Sequence, residues 1–365
     1  MGFAPQASID HAALRHNLQQ VRTKAPNSRI WAVIKADAYG HGIKSVAKGL
    51  AAADGFAVAR VEEALRLRQL GIHKPLLILG GVFSPVDAQA AIHAECQLAV
   101  HHPYQVELLQ ELNVERSVAV WLKVDTGMHR LGVRSKQLNE LADRLRHCPS
   151  VSEVNLMTHL ANADDRSDPT TRRQCERFEQ LPLTTFKQLS MANSAGLMAY
   201  PSTQRDWVRP GIMLYGVSPF GDSIGEQEGL RPVMTFSARV MAVSACQKGD
   251  PVGYGGSYRC PADMPVAVVG VGYGDGYPRH AASGTPVLIR QQRLPLVGRV
   301  SMDMLCVDAR AVPDLTLGEQ VILWGNGLPV EEIARAADTI GYELLCSITG
   351  RVEFIDQHVA HANIG

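Results

Sequence analysis

Short apolar runs alternate with amphipathic stretches along the first 230 residues of the chain. Apolar runs bounded by Gly, Pro or Asp predict buried strands, and segments of helical period lie between them. In "RVEEALRLRQLG", for example, Val61, Ala64, Leu65 and Leu70 share one helical face. Eight strands are predicted, namely "RIWAVIK", "GFAVA", "PLLILG", "QLAV", "VAVWLKVD", "VNLMTHL", "KQLSMANS" and "WVRPGIMLYG". Eight strands with helical crossovers favour a TIM-type (β/α)8 barrel over residues 1–230, with a doubly wound open sheet as the alternative.

The pattern changes after Leu230 to β-branched runs separated by glycine turns. Segments such as "VMTFSARVMAV", "TPVLIR" and "LGEQVILWG" predict a mainly antiparallel β domain over residues 231–365. One helix is expected in "PVEEIARAAD", where Pro329 suits the first turn. The chain is therefore predicted to be an α/β protein in which a barrel domain precedes a β domain.

Composition narrows the class of partner. The 365 residues include 46% hydrophobic and 20% charged residues, as in ordinary soluble globular proteins. Lys and Arg number 36, as do Asp and Glu, and no long basic block occurs, so a nucleic acid partner is not expected. No apolar run is long enough to span a membrane, and "MGFAPQASIDHAALRHN" does not resemble a signal peptide. We therefore expect no membrane association and a cytoplasmic location.

The seven cysteines are scattered along the chain, and no two are spaced C-x-x-C. An odd number without that spacing argues against both a disulfide framework and a zinc site. We expect most of the cysteines to be reduced core residues, and we expect no metal site.

Polar side chains occur where the predicted barrel strands end. In a barrel these carboxyl ends face a common active-site mouth. The residues there are Lys35 at the end of the first strand, Arg130 after the fifth, His159 at the end of the sixth, Asn193 and Ser194 at the end of the seventh, and Arg209 in the eighth.

Lys35 follows an apolar run and precedes "ADAYGHG". A partly desolvated lysine near other charges loses its proton more easily, and the neutral amine can form a Schiff base with an aldehyde. The alternative is a strand-end lysine that extends to solvent. If the aldehyde belongs to pyridoxal 5'-phosphate, Ser194 and the backbone N–H groups of Gly211 and Ile212 lie in the loops where barrels often bind phosphate.

Arg209 is a candidate partner for the pyridine nitrogen of such a cofactor, because a buried guanidinium needs an acceptor. Paired with arginine, the ring stays largely unprotonated and is a weaker electron sink than one paired with a carboxylate. His159 either holds Arg209 in place or is a structural residue.

Two glycine-rich segments of the second domain, "VGYGGSY" and "VGYGDGYPRH", do not match a dinucleotide fingerprint, since neither enters a helix of a βαβ unit. Most of these glycines are expected in hairpins. Tyr254, Tyr273 and Tyr277 lie between them and would suit a proton donor or a narrow gate.

Six motifs together resemble the bacterial alanine racemases over essentially the whole chain: "AVIKADAYGHG", "LKVDTGMHRLG", "DWVRPGIMLYG", "PVGYGGSY", "GYGDGYPR" and "GRVSMDM". The resemblance implies a barrel followed by a β domain, bound pyridoxal 5'-phosphate, and a head-to-tail homodimer whose active sites draw on both chains. It also implies that Lys35 bonds the cofactor and acts as the base for D-alanine, while Tyr254 of the partner subunit is the base for L-alanine. Two bases on opposite faces invert the α-carbon.

The same resemblance assigns the other site residues. Arg130 and the backbone of Met302 would hold the substrate carboxylate, with Asp303 beside them. The cofactor-binding group would comprise Lys35, Tyr39, His159, Asn193, Ser194, Arg209, Gly211, Ile212 and Tyr342, with Tyr39, Ser194, Gly211, Ile212 and Tyr342 around the phosphate. Tyr273 and Arg279 resemble an entrance gate, and Lys123 matches a lysine that is carbamylated in some members.

Several other functions are weighed against this one. A barrel decarboxylase of basic amino acids would place glutamate, not Arg209, at the pyridine nitrogen. A non-catalytic carrier of the cofactor would not need the second domain, and a nicotinamide oxidoreductase is a distant third. A broad-specificity or serine-preferring racemase remains open, as does the choice between supplying D-alanine for peptidoglycan and degrading it.

Overall fold

Eight parallel strands close into a barrel in the computed structural model, which describes residues 4–357. The strands of this half of the chain are β1 Gln6–Asp10, β2 Arg29–Val33, β3 Gly55–Val58, β4 Leu76–Ile78, β5 Cys96–Val100, β6 Val118–Lys123, β7 Val151–Met157, β8 Leu189–Ser190 and β9 Trp207–Val208. Strands β2 to β9 pair in chain order, and β9 pairs with β2. The predicted TIM-type barrel is confirmed, and the open-sheet alternative is wrong because this last pairing closes the ring.

One helix, α1 His11–Lys24, leads into the barrel from β1, and the others follow barrel strands. These others are α2 Lys35–Tyr39, α3 Ile43–Gly49, α4 Val61–Gln69, α5 Pro85–His93, α6 Pro103–Glu111, α7 Leu138–Arg146, α8 Thr170–Glu179 and α9 Ser194–Ala199. In α4 the buried residues are Val61, Ala64 and Leu67, while the predicted Leu65 and Leu70 are partly buried against the core. The helical period therefore located the face of α4 that packs on the barrel.

Two barrel strands are shorter than predicted. β8 keeps two residues of "KQLSMANS", and β9 keeps two of "WVRPGIMLYG". Beyond β9 the backbone still bonds to both neighbours, since the Arg209 N–H donates to the Ala192 carbonyl over 2.9 Å and the Val33 N–H donates to the Pro210 carbonyl over 3.0 Å. Arg209 therefore follows the eighth barrel strand and does not lie within it.

The second half of the chain is mainly antiparallel, as predicted. Its strands are β10 Met234–Cys246, β11 Pro251–Val252, β12 Tyr258–Arg259, β13 Met264–Val269, β14 Pro286–Ile289, β15 Gln292–Val297, β16 Leu305–Asp308, β17 Gln320–Trp324 and β18 Glu353–Gln357, and its helices are α10 Val330–Ala336 and α11 Gly341–Cys346. The large sheet runs β13-β16-β15-β14-β17-β10-β1-β18, and β13 also pairs with β10. β11 and β12 form a separate hairpin.

Strand β1 comes from the beginning of the chain but belongs to this sheet. It pairs antiparallel with β10 and parallel with β18. The domain boundary at residue 230 stays a prediction. The outer ends of the two predicted domains, residues 1–3 and 358–365, lie outside the described residues.

Short 3₁₀ turns complete the structure. They span Ser135–Gln137, Leu183–Thr185, Pro201–Thr203, Ile212–Tyr215, Gly225–Glu228, Tyr254–Gly256 and Tyr273–Asp275. One continuous hydrophobic core extends from the barrel into the second half, with Trp31, Trp121, Tyr215, Phe236 and Trp324 among its largest buried side chains. Between residues 4 and 357 there is no helix with the length and apolar character needed to cross a bilayer.

Candidate active site

A left-handed helical turn, α2, follows the first barrel strand and carries Lys35. Ala36, Asp37, Ala38 and Tyr39 all have φ between 49° and 57°. For residues with a Cβ this conformation costs about 1–2 kcal/mol each, and such strain is typical of functional sites. The turn therefore needs support from outside its own sequence.

Glu63 of α4 supplies part of that support. Its carboxylate accepts hydrogen bonds from the backbone N–H groups of Ala36 (2.7 Å), Ala59 (2.8 Å) and Arg60 (3.0 Å). One side chain thereby joins the ends of the first two barrel strands. Asp37 adds a second tie, because it accepts from the Ile43 N–H over 3.0 Å.

Helix α11 packs directly on the same turn. Gly40 has φ +75°, and a Cβ at this position would collide with the Leu345 carbonyl. This close approach brings the Tyr342 ring to 6.1 Å from the Tyr39 ring, centroid to centroid. Tyr39 and Tyr342, both predicted around the phosphate, are thus neighbours although 303 positions of sequence numbering separate them.

Four cationic side chains meet at the barrel mouth. Burial lowers the pKa of the Lys35 amine, the nearby Arg130 lowers it further, and Glu63 opposes the shift. Burial also lowers the pKa of Lys123 to about 8, helped by Arg209, Arg130 and Lys35. Because each cation raises the cost of charging the others, the mouth is a strongly electropositive site suited to anionic ligands.

Arg209 lies at the centre of this group with its guanidinium buried. One nitrogen, Nη1, donates to the Ser190 hydroxyl, while Nη2 donates to the carbonyls of Thr158 (2.5 Å) and Met191 (3.1 Å). Nη2 also lies 3.5 Å from Nδ1 of His159. These four partners are neutral, so the Arg209 charge has no carboxylate among its hydrogen-bond partners.

His159 is held uncharged beside Arg209. Burial lowers its pKa well below the ordinary value, and Arg209, Lys123, Arg130 and Lys35 lower it further. A neutral imidazole can accept a hydrogen bond, so the Nδ1 lone pair can face the guanidinium. The geometry matches a histidine that orients Arg209.

The loops after β8 and β9 bring two backbone N–H groups to the Ser194 hydroxyl. The Ser194 hydroxyl accepts from the N–H groups of Gly211 (2.9 Å) and Met213 (3.4 Å), next to Ile212. A Cβ on Gly211 would collide with the Tyr39 hydroxyl, so glycine permits this approach. Together these groups could bind a phosphate at the barrel mouth.

Asn193 has a different local role. Its side-chain oxygen accepts from the Gly196 N–H over 2.9 Å and so caps the N-terminus of α9, and its amide donates to the Leu160 carbonyl over 3.3 Å. The cap fixes the start of the helix that begins with Ser194. Asn193 thus positions the loop that carries the Ser194 hydroxyl.

Site residues of the second half form a separate group. The Tyr273 N–H donates to the Ser301 carbonyl and the Gly274 N–H to the Met302 carbonyl, so the Tyr273 turn and the Met302 loop lie side by side. Arg351 pairs with both Asp303 (2.7 Å) and Asp275 (3.2 Å) and so ties the two segments together. Within residues 4–357 no hydrogen bond or ion pair joins Met302, Asp303 or Tyr273 to Lys35.

Tyr254 and Arg279 stand apart from the barrel mouth. Tyr254 lies in the turn between β11 and β12 and is 68% exposed, and in the described part of the chain its hydroxyl has no hydrogen-bond partner. Arg279 is exposed. The fold of one chain thus assembles the predicted barrel-mouth residues but does not bring Tyr254 to Lys35 by any hydrogen bond.

Sequence reasoning did not identify several residues that hold the site. The sequence pattern predicts Glu63 only as a polar residue of an amphipathic helix. Beneath Lys123 and Arg209, the Thr126 and Thr158 hydroxyls lie 2.8 Å apart, and the Gln174 amide donates to Thr126 over 3.1 Å. The sequence gives no signal for these contacts, since Glu63 bonds to Ala36 and Thr126 bonds to Thr158 and Gln174 on distant elements.

The chain is similar to known proteins over almost its whole length. The family models "Alanine racemase, N-terminal domain" and "Alanine racemase, C-terminal domain" match residues 9–219 and 233–355. The alanine racemase of Nitrosococcus oceani is 52% identical over 95% of this chain and 98% of its own, and that of Coxiella burnetii is 47% identical over 96% and 98%. Among solved structures, the biosynthetic alanine racemase from Pseudomonas aeruginosa superposes with a TM-score of 0.95 at 42% identity, covering 98% of this chain and 100% of that one. The alanine racemase from Acinetobacter baumannii gives a TM-score of 0.92 at 37% identity, with the same coverage.

Proposed function

Since the chain belongs to the alanine racemase family and interconverts L-alanine and D-alanine, we propose that it does so with bound pyridoxal 5'-phosphate and two opposed acid–base groups. These groups are Lys35 of one subunit and Tyr254 of the partner subunit.

The convergence of Lys35, Lys123, Arg130 and Arg209 at the barrel mouth is the observation that carries the cofactor proposal. A cluster of this kind is unfavourable on its own, because like charges repel and burial removes their hydration. An anionic cofactor and an anionic substrate would offset both costs. Pyridoxal phosphate and the carboxylate of alanine have the required charges.

Groups around Ser194 and Arg209 are also suited to the cofactor phosphate and ring. The approach of the Tyr39 hydroxyl to Gly211 and the N–H groups at the Ser194 hydroxyl provide a place for phosphate, with Ile212 and Tyr342 beside it. Arg209, fixed by neutral partners, would donate toward the pyridine nitrogen while His159 orients it. When bound, pyridoxal phosphate supplies an aldehyde for a lysine amine and an electron-withdrawing ring that acidifies the substrate α-hydrogen.

Lys35 is suited to both roles proposed for it. Its amine has a lowered pKa, so a larger fraction is unprotonated near neutral pH than for a surface lysine. The neutral amine can bond to the cofactor and can accept the α-proton from one face of the substrate. Inversion then requires a second group that returns a proton to the opposite face.

Tyr254 is the proposed second group. Its exposure in the β11–β12 turn leaves the phenol free to enter another subunit's site, where its hydroxyl could exchange a proton with the substrate.

A head-to-tail homodimer would bring the two groups together. The groove at the barrel mouth is lined by Phe83, His101, Tyr104, Arg130 and Leu131, and Phe83 is 63% exposed. On the second half, Tyr254, Met302 and Met304 are also exposed. Exposed apolar groups at both places fit a surface that is covered by a second copy of the chain.

The remaining assignments follow from this arrangement. We propose that Arg130 and the Met302 backbone of the partner subunit hold the substrate carboxylate, with Asp303 beside them and with Tyr273 and Arg279 at the entrance. Because the pKa of Lys123 is lowered to about 8, a larger fraction of its amine than in a surface lysine is neutral and could react with carbon dioxide to form a carbamate. A carbamate there would replace one positive charge of the cluster by a negative one. A cytoplasmic location stays a prediction.

Borohydride reduction tests the cofactor anchor. Purified holoprotein reduced with sodium borohydride and digested with trypsin should carry the pyridoxyl mass on the peptide containing Lys35, and Lys35→Ala protein should carry none. Lys44→Ala, which changes the lysine at the second position of α3, is the control and should be labelled like the natural protein. A label on any other lysine would refute the assignment.

A further inference from the structure

Three cysteines meet in a small hydrophobic cluster of the second half, separate from the main core. Cys260 is 2% exposed and packs with Val252 and Met264, and Cys246 and Cys306 are partly buried against the same cluster. All three are free thiols. The proposed reaction uses none of them.

Cys246 and Cys260 stand at the two ends of the loop that carries Tyr254. Cys246 is the last residue of β10, and Cys260 follows β12 directly. The Gly249 N–H donates to the Cys260 carbonyl over 2.8 Å, and the Cys260 N–H donates to the Asp250 carbonyl over 2.9 Å. The backbone thus already holds Cys260 against the residues that follow Cys246.

The two thiols belong to the same packed cluster. Cys246 lies opposite Met264 of β13, which packs with Cys260, whereas Cys306 lies opposite Val268, four residues further along β13. A disulfide requires Cβ atoms about 3.5–4.5 Å apart, and side chains of one small cluster can reach that geometry by rotation.

We propose that Cys246 and Cys260 form a modification site, a dithiol that a peroxide oxidises to a disulfide across the base of the Tyr254 loop. Cys246 attacks one peroxide oxygen and becomes a sulfenic acid as water leaves. The Cys260 sulfur then displaces the sulfenic hydroxyl, which leaves as a second water with the Cys260 proton. Two thiols lose two electrons in total, and the peroxide is reduced by two electrons.

The difference in burial indicates which of the two thiols reacts first with the peroxide. Cys246 is only partly buried and can meet an oxidant from solvent. Burial raises the pKa of the Cys260 thiol, and the neighbouring Cys246 adds to the shift, so Cys260 stays protonated and reacts second. Burial likewise raises the pKa of Cys306, which lies opposite Val268 and stays reduced in this proposal.

The disulfide would restrain the position of Tyr254. The hairpin below the tyrosine has only the pairs Pro251–Arg259 and Val252–Tyr258. Gly253, Gly255 and Gly256 all have positive φ, so the tip has the conformational freedom of glycine. A covalent bond at the base removes part of that freedom. This consequence for catalysis rests on the proposed role of Tyr254, but formation of the bond does not.

Peptide mapping tests the site without any measurement of activity. Holoprotein is treated with hydrogen peroxide, alkylated, and digested with trypsin without reductant. We expect peptide 240–248, which contains Cys246, to be joined to peptide 260–279, which contains Cys260, and to be released by dithiothreitol. Cys246→Ala should abolish the joined peptide, and Cys306→Ala, the matched control from the same cluster, should retain it.

Two results would overturn the proposal: peptide 240–248 joined to peptide 300–310, or all three cysteines recovered singly as alkylated or sulfinic forms. Turnover is measured on the same samples. We expect a several-fold fall that dithiothreitol reverses in the natural protein and that is absent from Cys246→Ala. The joined peptide without any change in turnover would contradict the coupling to Tyr254, and because the bond is read by mass, this result is distinct from failure of the racemase mechanism.

Discussion

Gly211 shows how a single residue defines the proposed phosphate pocket. Its φ of −120° lies outside the left-handed region that favours glycine. The glycine is needed for space, because a Cβ would meet the Tyr39 hydroxyl. The N–H of the same residue donates to Ser194.

Gly211→Ala should therefore weaken cofactor binding more than folding. The added methyl displaces Tyr39 from the pocket, and we expect the dissociation constant for pyridoxal phosphate to rise by at least about tenfold, equivalent to about 1.4 kcal/mol. Absorbance titration of the apoprotein measures it. Gly221→Ala, where a Cβ meets nothing within 4 Å, is the matched control and should bind normally. Equal affinity of the Gly211→Ala and natural proteins would contradict this reading of the pocket.

His41 is buried and follows the turn α2, which carries Lys35 and Tyr39. This histidine makes the stability of the protein depend on pH. Burial lowers its pKa from 6.5 to about 4, although hydrogen bonds to the Tyr39 and Ala38 carbonyls oppose the shift. Between these two values the unfolded chain binds more protons than the folded one. The free energy of unfolding therefore falls as the pH is lowered through this window.

We expect His41 to account for a loss of about 3 kcal/mol between pH 7 and pH 4. Urea unfolding of the apoprotein at several pH values measures it, and His41→Gln, which keeps a donor for the Tyr39 carbonyl, should lack this part of the pH dependence. His93→Gln, an exposed histidine at the end of α5, is the control. Identical pH profiles for the natural and His41→Gln proteins would contradict the assignment.

At the scale of elements, the left-handed turn α2 is the most costly part of the site. Four consecutive residues with a Cβ have positive φ there. Glu63, Asp37 and the seat of α11 on Gly40 hold the turn in place. Backbone strain is thus concentrated in the turn that follows the first barrel strand. Contacts from α3, α4 and α11 hold this turn in place.

Ala36→Gly should stabilise the protein by about 1 kcal/mol, because relief of the left-handed strain exceeds the entropy that glycine adds to the unfolded chain. Ala36 is exposed, so no packing is lost. Denaturant unfolding gives the change in free energy. Ala90→Gly within α5 is the contrasting variant and should destabilise by about 0.5–1 kcal/mol. A similar loss in both variants would show that Ala36 is not strained.

The elements that could be predicted are those with a local pattern. Apolar strand runs and the α4 period located the barrel, and polar residues at strand ends located the barrel-mouth cluster. The left-handed turn could not be foreseen, since Ala-Asp-Ala-Tyr contains no glycine to indicate it. β1 was missed because "QASID" has only two apolar residues and its partners β10 and β18 lie far along the chain. Glu63 was missed because its acceptor role depends on how α4 meets α2.

At the scale of the whole molecule, no hydrogen bond within residues 4–357 joins the two proposed bases, Lys35 and Tyr254. Lys35 lies at the mouth of the barrel, and Tyr254 projects from a hairpin of the second half with its side chain mostly exposed. The proposed head-to-tail dimer would explain why the two residues need not meet within a chain. It would also make every active site depend on both subunits.

Mixing two inactive variants tests this dependence most directly. Lys35→Ala and Tyr254→Phe proteins are exchanged into mixed dimers, and racemisation of L-alanine is followed by loss of optical rotation. In a mixed dimer one site contains both substitutions and the other contains neither. An equal mixture should therefore recover about a quarter of the natural specific activity. No recovery in a mixture shown by native mass spectrometry to contain mixed dimers would contradict the shared site.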